Sequence, residues 1–327
     1  MNLDFEQFDV TDWSYTEESK PLSFSEFQSW IDQDMQGPLS YLSDHRKELR
    51  EDVKNFYPEF ESALVFCFSY HEKRNQINDY LKNQKNYNQK KIASYALSFE
   101  GVDYHFELKE KLKSIGEYLV SRVDGLEYAL TLDVHPVLER DLAFRSGLGW
   151  FGKNSMMIST EHGSFFMLGS LLLNKKLPVP KKEIQTDHCG TCSYCVDACP
   201  TDAILDLKRQ IDASKCISTY TIEIFKEESP PDKYERVEDE IYGCDICQDV
   251  CPWNKRIDQV ILKEKRPLSI SKNLQQIFDF FLLRTTDKVI LELESLSNRG
   301  FQKKFKSSVF ERTGRRGLLK NFKALIK

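Results

Sequence analysis

The run CGTCSYCVDACP, from Cys189 to Pro200, reads C-x2-C-x2-C-x3-C-P. A second run, CDICQDVCP, spans Cys244 to Pro252, and Cys216 stands upstream of it as a remote member. Eight of the nine cysteines in this 327-residue chain therefore fall into two linked groups. A cubane cluster offers one thiolate site on each iron. A loop with two residues between cysteines can wrap three corners but cannot reach the fourth, and in this kind of double run the fourth Cys of each run serves the other cluster. The spacing thus assigns Cys189, Cys192, Cys195 and Cys251 to one 4Fe-4S cluster. Cys199, Cys216, Cys244 and Cys247 take the other. Pro200 and Pro252 follow the crossing cysteines and fix the backbone there. The small neighbours Gly190, Thr191, Ser193 and Ala198 let backbone N–H groups approach the sulfurs.

Other uses of these thiols fit less well. A disulfide framework belongs to short secreted chains with spread cysteines. Four-Cys zinc sites use two C-x2-C pairs, which is not the pattern here. The ninth cysteine, Cys67, sits in the apolar run ALVFCFSY and reads as a core thiol. The motif therefore predicts a ferredoxin-like module, in an electron carrier or a redox enzyme.

Length allows two or three domains, and 40% hydrophobic with 30% charged residues describes an ordinary globular protein. No apolar run is long enough to cross a bilayer. The N-terminus, MNLDFEQFDVTDW, has neither a basic leader nor twin arginines, so the expected location is cytoplasmic, without membrane contact. The net charge of -5 hides an asymmetry. From Arg299 to Lys327 there are ten Lys or Arg residues and one acid, Glu311. Such a segment suits either a polyanionic partner or a solvated helical face.

The chain reads as three parts, 1–178, 179–260 and 261–327. In the first, SFSEFQSWIDQDM and LSYLSDHRKELRED are predicted helices and ALVFCFSY a central strand. Residues 72–92, rich in Asn, Gln and Lys, read as an exposed loop. Leu108, Leu112, Ile115 and Leu119 recur at helical spacing after Phe106. EYALTLD is a predicted strand ending at Asp133. Pro136 is placed to open a helix, PVLERDLAFRSG, which Gly147 can end. SFFMLGSLLL is a further strand, and the Pro-Val-Pro region near 178–180 a linker. After residue 260 come four helical stretches, LQQIFDFFLL, KVILELESL, FQKKFKSSVF and RGLLKNFKALI, a helical-repeat cap without a firm period.

Gly147, Gly152 and Lys153 match a phosphate-binding P-loop, but Asn154 stands where Ser or Thr would hold magnesium, and the motif follows a helix. The glycines instead allow close approach to a neighbouring strand or a large ligand. Asp133 lies at a strand end facing a loop, where catalytic groups commonly sit. It could equally organise the turn before the next helix. His135 beside it is a lone histidine, a type more often structural.

The blocks LDVHPVLERDLAFRSGLGWFGKNSMMI, GSFFMLGSL, CGTCSYCVDACPTDAI, CISTYTIE and GCDICQDVCPWN, in this order, resemble the epoxyqueuosine reductases. The resemblance extends to IASYAL…DYH at 92–105 and FERTGRRGLLKN at 310–321. It implies an α+β protein: an N-terminal α/β cobalamin-binding catalytic domain (1–178), the ferredoxin-like two-cluster module (179–260) and a basic, HEAT-like helical segment (261–327). It implies reduction of epoxyqueuosine to queuosine at the wobble position of tRNA, using cobalamin fed by two 4Fe-4S clusters. Asp133 falls on the proton donor of the family's D-x-x-P motif. Such a donor is expected to keep a proton near neutral pH, held by a partly dry pocket. Arg50, Lys153, Met157, Ser218 and Asp245 are the implied cobalamin surroundings. Arg312, Arg315, Arg316 and Lys320 are the implied tRNA phosphate contacts. An external donor of the flavodoxin or ferredoxin type and a monomeric state complete the expectation.

The sequence departs from the family pattern in three places. D-S-A-P is D-V-H-P here, which brings His135 near the site. The stretch between Tyr95 and Tyr104 is slightly long. One helical segment follows the cluster module, the mark of a short form without the extended tail. Two alternatives remain: a reductive dehalogenase, which also joins cobalamin to two clusters, and an electron-transfer protein with no substrate of its own.

Overall fold

A computed structural model of the chain describes residues 3–205, 208–226, 228–261 and 268–326. Met1 and Lys327, the ends of the first and last expected domains and in Lys327's case the last of the ten basic residues, lie outside them. The apolar run Ser62–Ser69, with Val65, Phe66 and Phe68, forms a central strand of a four-stranded sheet. In space the order is Asp12–Thr16, Ser62–Ser69, Phe166–Leu173, Tyr128–Thr131, and every pairing is antiparallel. Register runs from Ser62 opposite Leu173 to Ser69 opposite Phe166.

Alternation along the central strand sends Leu64, Phe66 and Phe68 to one face, where they pack with Leu108, Leu112, Ile115 and Leu119 of the Tyr104–Val120 helix. Ala63, Val65 and Cys67 point the other way, to Leu142 and Ala143 of the Glu139–Arg145 helix. Antiparallel sheets often leave one face in water. Here helices cover both, which is why the central strand is apolar at nearly every position. The molecule is α+β, as expected, with a wholly antiparallel main sheet in its first part. Gly116 faces the Tyr128 ring, and a Cβ built there would stand 2.2 Å from it.

Four expectations fail locally, the first being LSYLSDHRKELRED, which holds only the short turn Ser40–Leu42 and the four-residue helix Arg46–Leu49. Residues 71–82 are a helix rather than a loop. His71, Arg74, Ile77 and Leu81 are its buried face, and the abundance of Asn, Gln and Lys elsewhere hides that spacing. Pro136 does not open the next helix, which starts at Glu139. Two turns close the intervening loop, with His135 N donating to Leu132 O and Val137 N to His135 O. FQKKFKSSVF is not one helix: Asn298–Lys304 ends before Ser307, which adopts φ +62°, and a new helix starts at Phe310.

The C-terminal helices do not form a separate core. Leu274, Phe278, Phe281, Val289, Leu293, Phe305, Phe310 and Phe322 join the cluster that contains Leu64, Phe66 and Leu112. The cysteine-rich module consists of short turns. Tyr194–Asp197 and Ile246–Asp249 are four-residue helices carrying the middle cysteines of each run. The module attaches to the first part through parallel pairing of Glu240–Tyr242 with Lys91–Ile92. A second link is the Asp245 carboxylate, which accepts from Ser94 N at 2.7 Å. Among the described residues no helix is long and apolar enough to cross a membrane.

Candidate functional site

Asp133 leaves the Tyr128–Thr131 strand in a turn fixed by His135, whose Nδ1 accepts from Leu132 N at 3.1 Å. His135 also meets Phe56 edge-on at 5.7 Å. It shapes the turn and makes no hydrogen bond to the carboxylate. Two residues at the start of the Tyr104–Val120 helix converge on Asp133, and a third, Asp103, backs one of them. Tyr104 OH donates to Oδ2 at 2.5 Å, and His105 Nε2 donates to Oδ1 at 2.6 Å. Asp103 caps the helix by accepting from His105 N, and its carboxylate also accepts from His105 Nδ1–H at 2.7 Å. The Tyr104 and His105 rings stack at 4.1 Å.

An imidazole with a carboxylate on each nitrogen keeps both protons. Burial pulls His105 down, but the bonds to Asp103 and Asp133 outweigh it and raise its pKa to about 9. For Asp133 the balance is reversed: burial pushes the carboxyl up, and His105 overrides this to leave it below the usual value. The expected protonated aspartate is therefore corrected. At neutral pH Asp133 is a carboxylate, and the proton sits on the adjoining imidazolium. Burial and the Asp133 charge both push the Tyr104 hydroxyl up, so it remains a donor. The Asp133 side chain is 49% exposed, so this charged group faces open space.

The mouth of the site is built from distant segments. Arg312, from the C-terminal helix, donates to Glu223 at 2.5 Å. Tyr41 lies within electrostatic reach of Glu223, Arg312 and Asp133, and Arg50 lies within reach of Tyr41. Arg50 is buried over the Phe27 ring at 5.9 Å, and its Nη1 has no hydrogen-bond partner. Glu139 Oε1 is likewise buried and unpartnered. Desolvation, reinforced by Asp133, pushes the Glu139 carboxyl well above its ordinary value.

The structure brings the thiols near one another. Cys189, Cys192, Cys195 and Cys251 line one cleft of ≈ 260 Å³ together with Lys153, Asn154, His188, Pro252 and Trp253. Trp150 points its indole N–H at Cys189 Sγ at 3.5 Å. Cys216 lies in electrostatic contact with Cys199, and Cys244 with Cys216 and Cys247. Cys247 also senses Cys195, which ties the two sets together. The donor chemistry and the two sets of four fit two cubane clusters. The second set is joined to the Asp133 mouth along the chain, since its Cys216 leads into the Thr219–Glu223 turn whose Glu223 holds Arg312.

The remaining expected residues divide. Arg312 stands at the Asp133 mouth, and Arg50 lies behind it, within electrostatic reach of Tyr41. The Ser218 hydroxyl lies beside the Cys216 thiol, and Asp245 ties the module to Ser94. Lys153 lines the first thiol cleft. The Met157 side chain is buried in the core beside Gly149. Arg316 is exposed, while Arg315 donates to Asn298 Oδ1 and Leu293 O. Lys320 is corrected as a phosphate contact: it is buried, donates to Tyr220 O and Ile224 O, and lies 3.6 Å from the Tyr220 ring centre. The glycines of the P-loop look-alike serve strand contact, since a Cβ on Gly149 would meet Ile158 O at 2.1 Å. Tyr104, His105, Tyr41 and Glu139 carried no assigned role in the sequence. The one available signal was Asp103-Tyr-His105 at a helix start, where an N-cap acid stands two residues before a histidine.

Residues 188–254 match the family described as "4Fe-4S double cluster binding domain", and residues 50–134 match "Epoxyqueuosine reductase QueG, DUF1730". An epoxyqueuosine reductase of Leadbetterella byssophila is 33% identical over 319 residues, 98% of this chain and 93% of its own. That of Cyclobacterium marinum is 38% identical over 253 residues, 77% of this chain and 76% of its own. The solved epoxyqueuosine reductase of Streptococcus thermophilus superposes with a TM-score of 0.78 at 23% identity, covering 98% of this chain and 78% of that one. An epoxyqueuosine reductase crystallised with an epoxyqueuosine-modified tRNA-Tyr stem loop superposes at 0.73 with 25% identity, covering 98% and 78%. With identity above 30% across nearly the whole length of a curated relative, the chain belongs to the epoxyqueuosine reductase family.

Proposed function

We propose that this protein reduces epoxyqueuosine in tRNA to queuosine, removing the epoxide oxygen as water with two electrons and two protons. The observation that carries the reading is the Asp133–His105–Tyr104 constellation set beside an eight-thiol cluster module in a chain of this family. When bound, the clusters supply single electrons and cobalamin supplies the reduced cobalt centre.

The chain's residues suit that load. The unpartnered Arg50 Nη1 and Glu139 Oε1 offer a buried donor and a buried acceptor. A corrin, whose rim carries amide groups, can satisfy both. Arg50, Ser218 and Asp245 would hold it. Asp133 and Tyr104 face the opening and present a carboxylate and a hydroxyl to the epoxide oxygen. His105 holds the transferable proton one hydrogen bond behind Asp133, and Asp103 orients the ring. Closing the opening with substrate removes water, weakens the charged pair and favours moving that proton through Asp133. Arg312 at the mouth meets the tRNA backbone or the flipped base, and Arg316 adds a phosphate contact. Electrons come from an external small redox protein, and the working location is the cytoplasm.

The test is Asp133→Ala. The variant should keep the iron of both clusters and bind cobalamin, yet convert no epoxyqueuosine when driven by dithionite. Normal conversion would overturn the proton-delivery role.

A further inference from the structure

Residues 147–153 imitate a phosphate loop, and the fold puts them to another use. Trp150–Phe151 and Met157–Ile158 pair antiparallel, and residues 152–156 turn between them. Gly152 N donates to Met156 O at 2.8 Å and Ser155 N to Gly152 O at 2.9 Å, with Ser155 at φ +59°. The hairpin belongs to the part of the chain that carries Asp133, yet it is fastened to the cysteine-rich module. Ser155 Oγ donates to Arg209 O at 2.6 Å, and Arg209 Nη1 donates to Phe151 O at 2.5 Å.

This placement brings a buried side-chain N–H to each thiol set. Trp150 is buried and aims its indole N–H at Cys189 Sγ at 3.5 Å. Its ring packs edge-on against His188 at 4.9 Å and Trp253 at 5.1 Å. Asn154 is also buried. Its Oδ1 accepts from Met156 N at 3.2 Å, and that backbone N–H fixes which end of the amide is the oxygen. The Nδ2 end is turned to Cys247, where it donates to the carbonyl at 3.4 Å and hydrogen-bonds the thiol. Two amide hydrogens serve two acceptors. Gly152 makes the room, since a Cβ there would stand 2.6 Å from Asn154 Oδ1. Asn154 also lines the cleft of Cys189, Cys192, Cys195 and Cys251, so it stands between the two sets. Backbone donors such as Ala203 N, 3.3 Å from Cys199 Sγ, come with the cysteine runs themselves. Trp150 and Asn154 come from outside them.

We infer that the hairpin of residues 150–158 tunes both clusters, Trp150 acting through Cys189 and Asn154 through Cys247, so that each cluster is easier to reduce. A reduced cluster carries more negative charge on its sulfurs. An N–H aimed at sulfur where water is excluded stabilises that form more than the oxidised one. Asn154 is a positioning residue in this account, because it acts through a cysteine. The inference deepens the proposed reaction and rests on it in one respect, that these clusters feed it.

The test titrates the protein carrying both clusters with dithionite, without cobalamin or tRNA, and follows the electron paramagnetic resonance of each reduced cluster. Trp150→Phe should shift one cluster, Asn154→Ala the other, and the double variant both. Each shift should be downward. At the wild-type midpoint the ratio of reduced to oxidised cluster should fall roughly tenfold, about 59 mV for one electron. Asn154→Asp keeps the shape and the acceptor for Met156 N but presents oxygen to Cys247, so it should lower the same potential as Asn154→Ala. Wild-type potentials in both Asn154 variants would overturn the inference. A shift in Asn154→Ala with none in Asn154→Asp would also overturn it, leaving Asn154 as a residue that holds the turn. So would a shift confined to the cluster that Trp150→Phe moves, or loss of iron from both Asn154 variants. Failure of the wild type to convert epoxyqueuosine, with these shifts observed, would instead refute the underlying reaction and leave the tuning standing.

Discussion

Replacing His105 with glutamine separates holding Asp133 in place from supplying it with a proton. The introduced amide can still donate to the Asp133 carboxylate, but it carries no transferable proton. In the native protein the imidazolium is stabilised from an ordinary 6.5 to about 9. At about 1.4 kcal/mol per unit that is roughly 3 kcal/mol. Half of the Asp133 side chain is in solvent, so screening reduces the folding contribution to about 1–2 kcal/mol. The sign follows from a raised folded-state pKa. The stabilisation is fully present below pH 6.5 and is lost as pH rises through about 9. Thermal unfolding of the wild type should thus weaken between pH 7 and pH 10 by about 1–2 kcal/mol more than that of His105→Gln. In turnover the variant should be slower by about 10²-fold, the usual contribution of a positioned acid. The wild-type rate should fall above pH 9, and the variant should lack that limb. A wild-type rate flat to pH 10, together with full activity in the variant, would refute the assignment of the proton to His105.

Two further substitutions probe the architecture. Lys320→Met should cost about 1–3 kcal/mol in stability by stranding Tyr220 O and Ile224 O, while leaving the salt slope of tRNA binding unchanged. A shallower slope would restore Lys320 as a phosphate contact. Trp150→Phe removes the indole N–H aimed at Cys189 Sγ and should lower the reduction potential of that cluster alone, read by spectroscopic redox titration. An unchanged potential would show that the N–H does not act on the sulfur.

The cluster module was legible because its chemistry fixes its spacing. Cubane geometry suits those intervals and that crossing of the fourth ligands, and in the structure Cys189, Cys192, Cys195 and Cys251 line one cleft. The central strand and the Tyr104–Val120 helix were legible for a different reason: each has a strong apolar period. The His71–Lys82 helix escaped because its buried face includes His71 and Arg74, which read as polar although both are buried against Phe165. Lys320 and Arg312 stand eight residues apart in one basic run, yet one is buried against carbonyls and the other guards the site. Charge counted along a chain cannot distinguish them, because the difference lies in which residues pack opposite. The protonation of Asp133 was misjudged for a similar reason. Burial alone argues for a raised pKa, and the overriding imidazolium arrives from a helix 28 residues earlier.

The central claim is reduction of the epoxide by this chain. Its most direct test is nucleoside mass spectrometry of epoxyqueuosine-containing tRNA after incubation with the reconstituted protein, cobalamin and dithionite. The expected result is a nucleoside lighter by one oxygen, identical to queuosine and formed only when both clusters and cobalamin are present. Intact epoxyqueuosine after incubation with fully loaded protein would contradict the account.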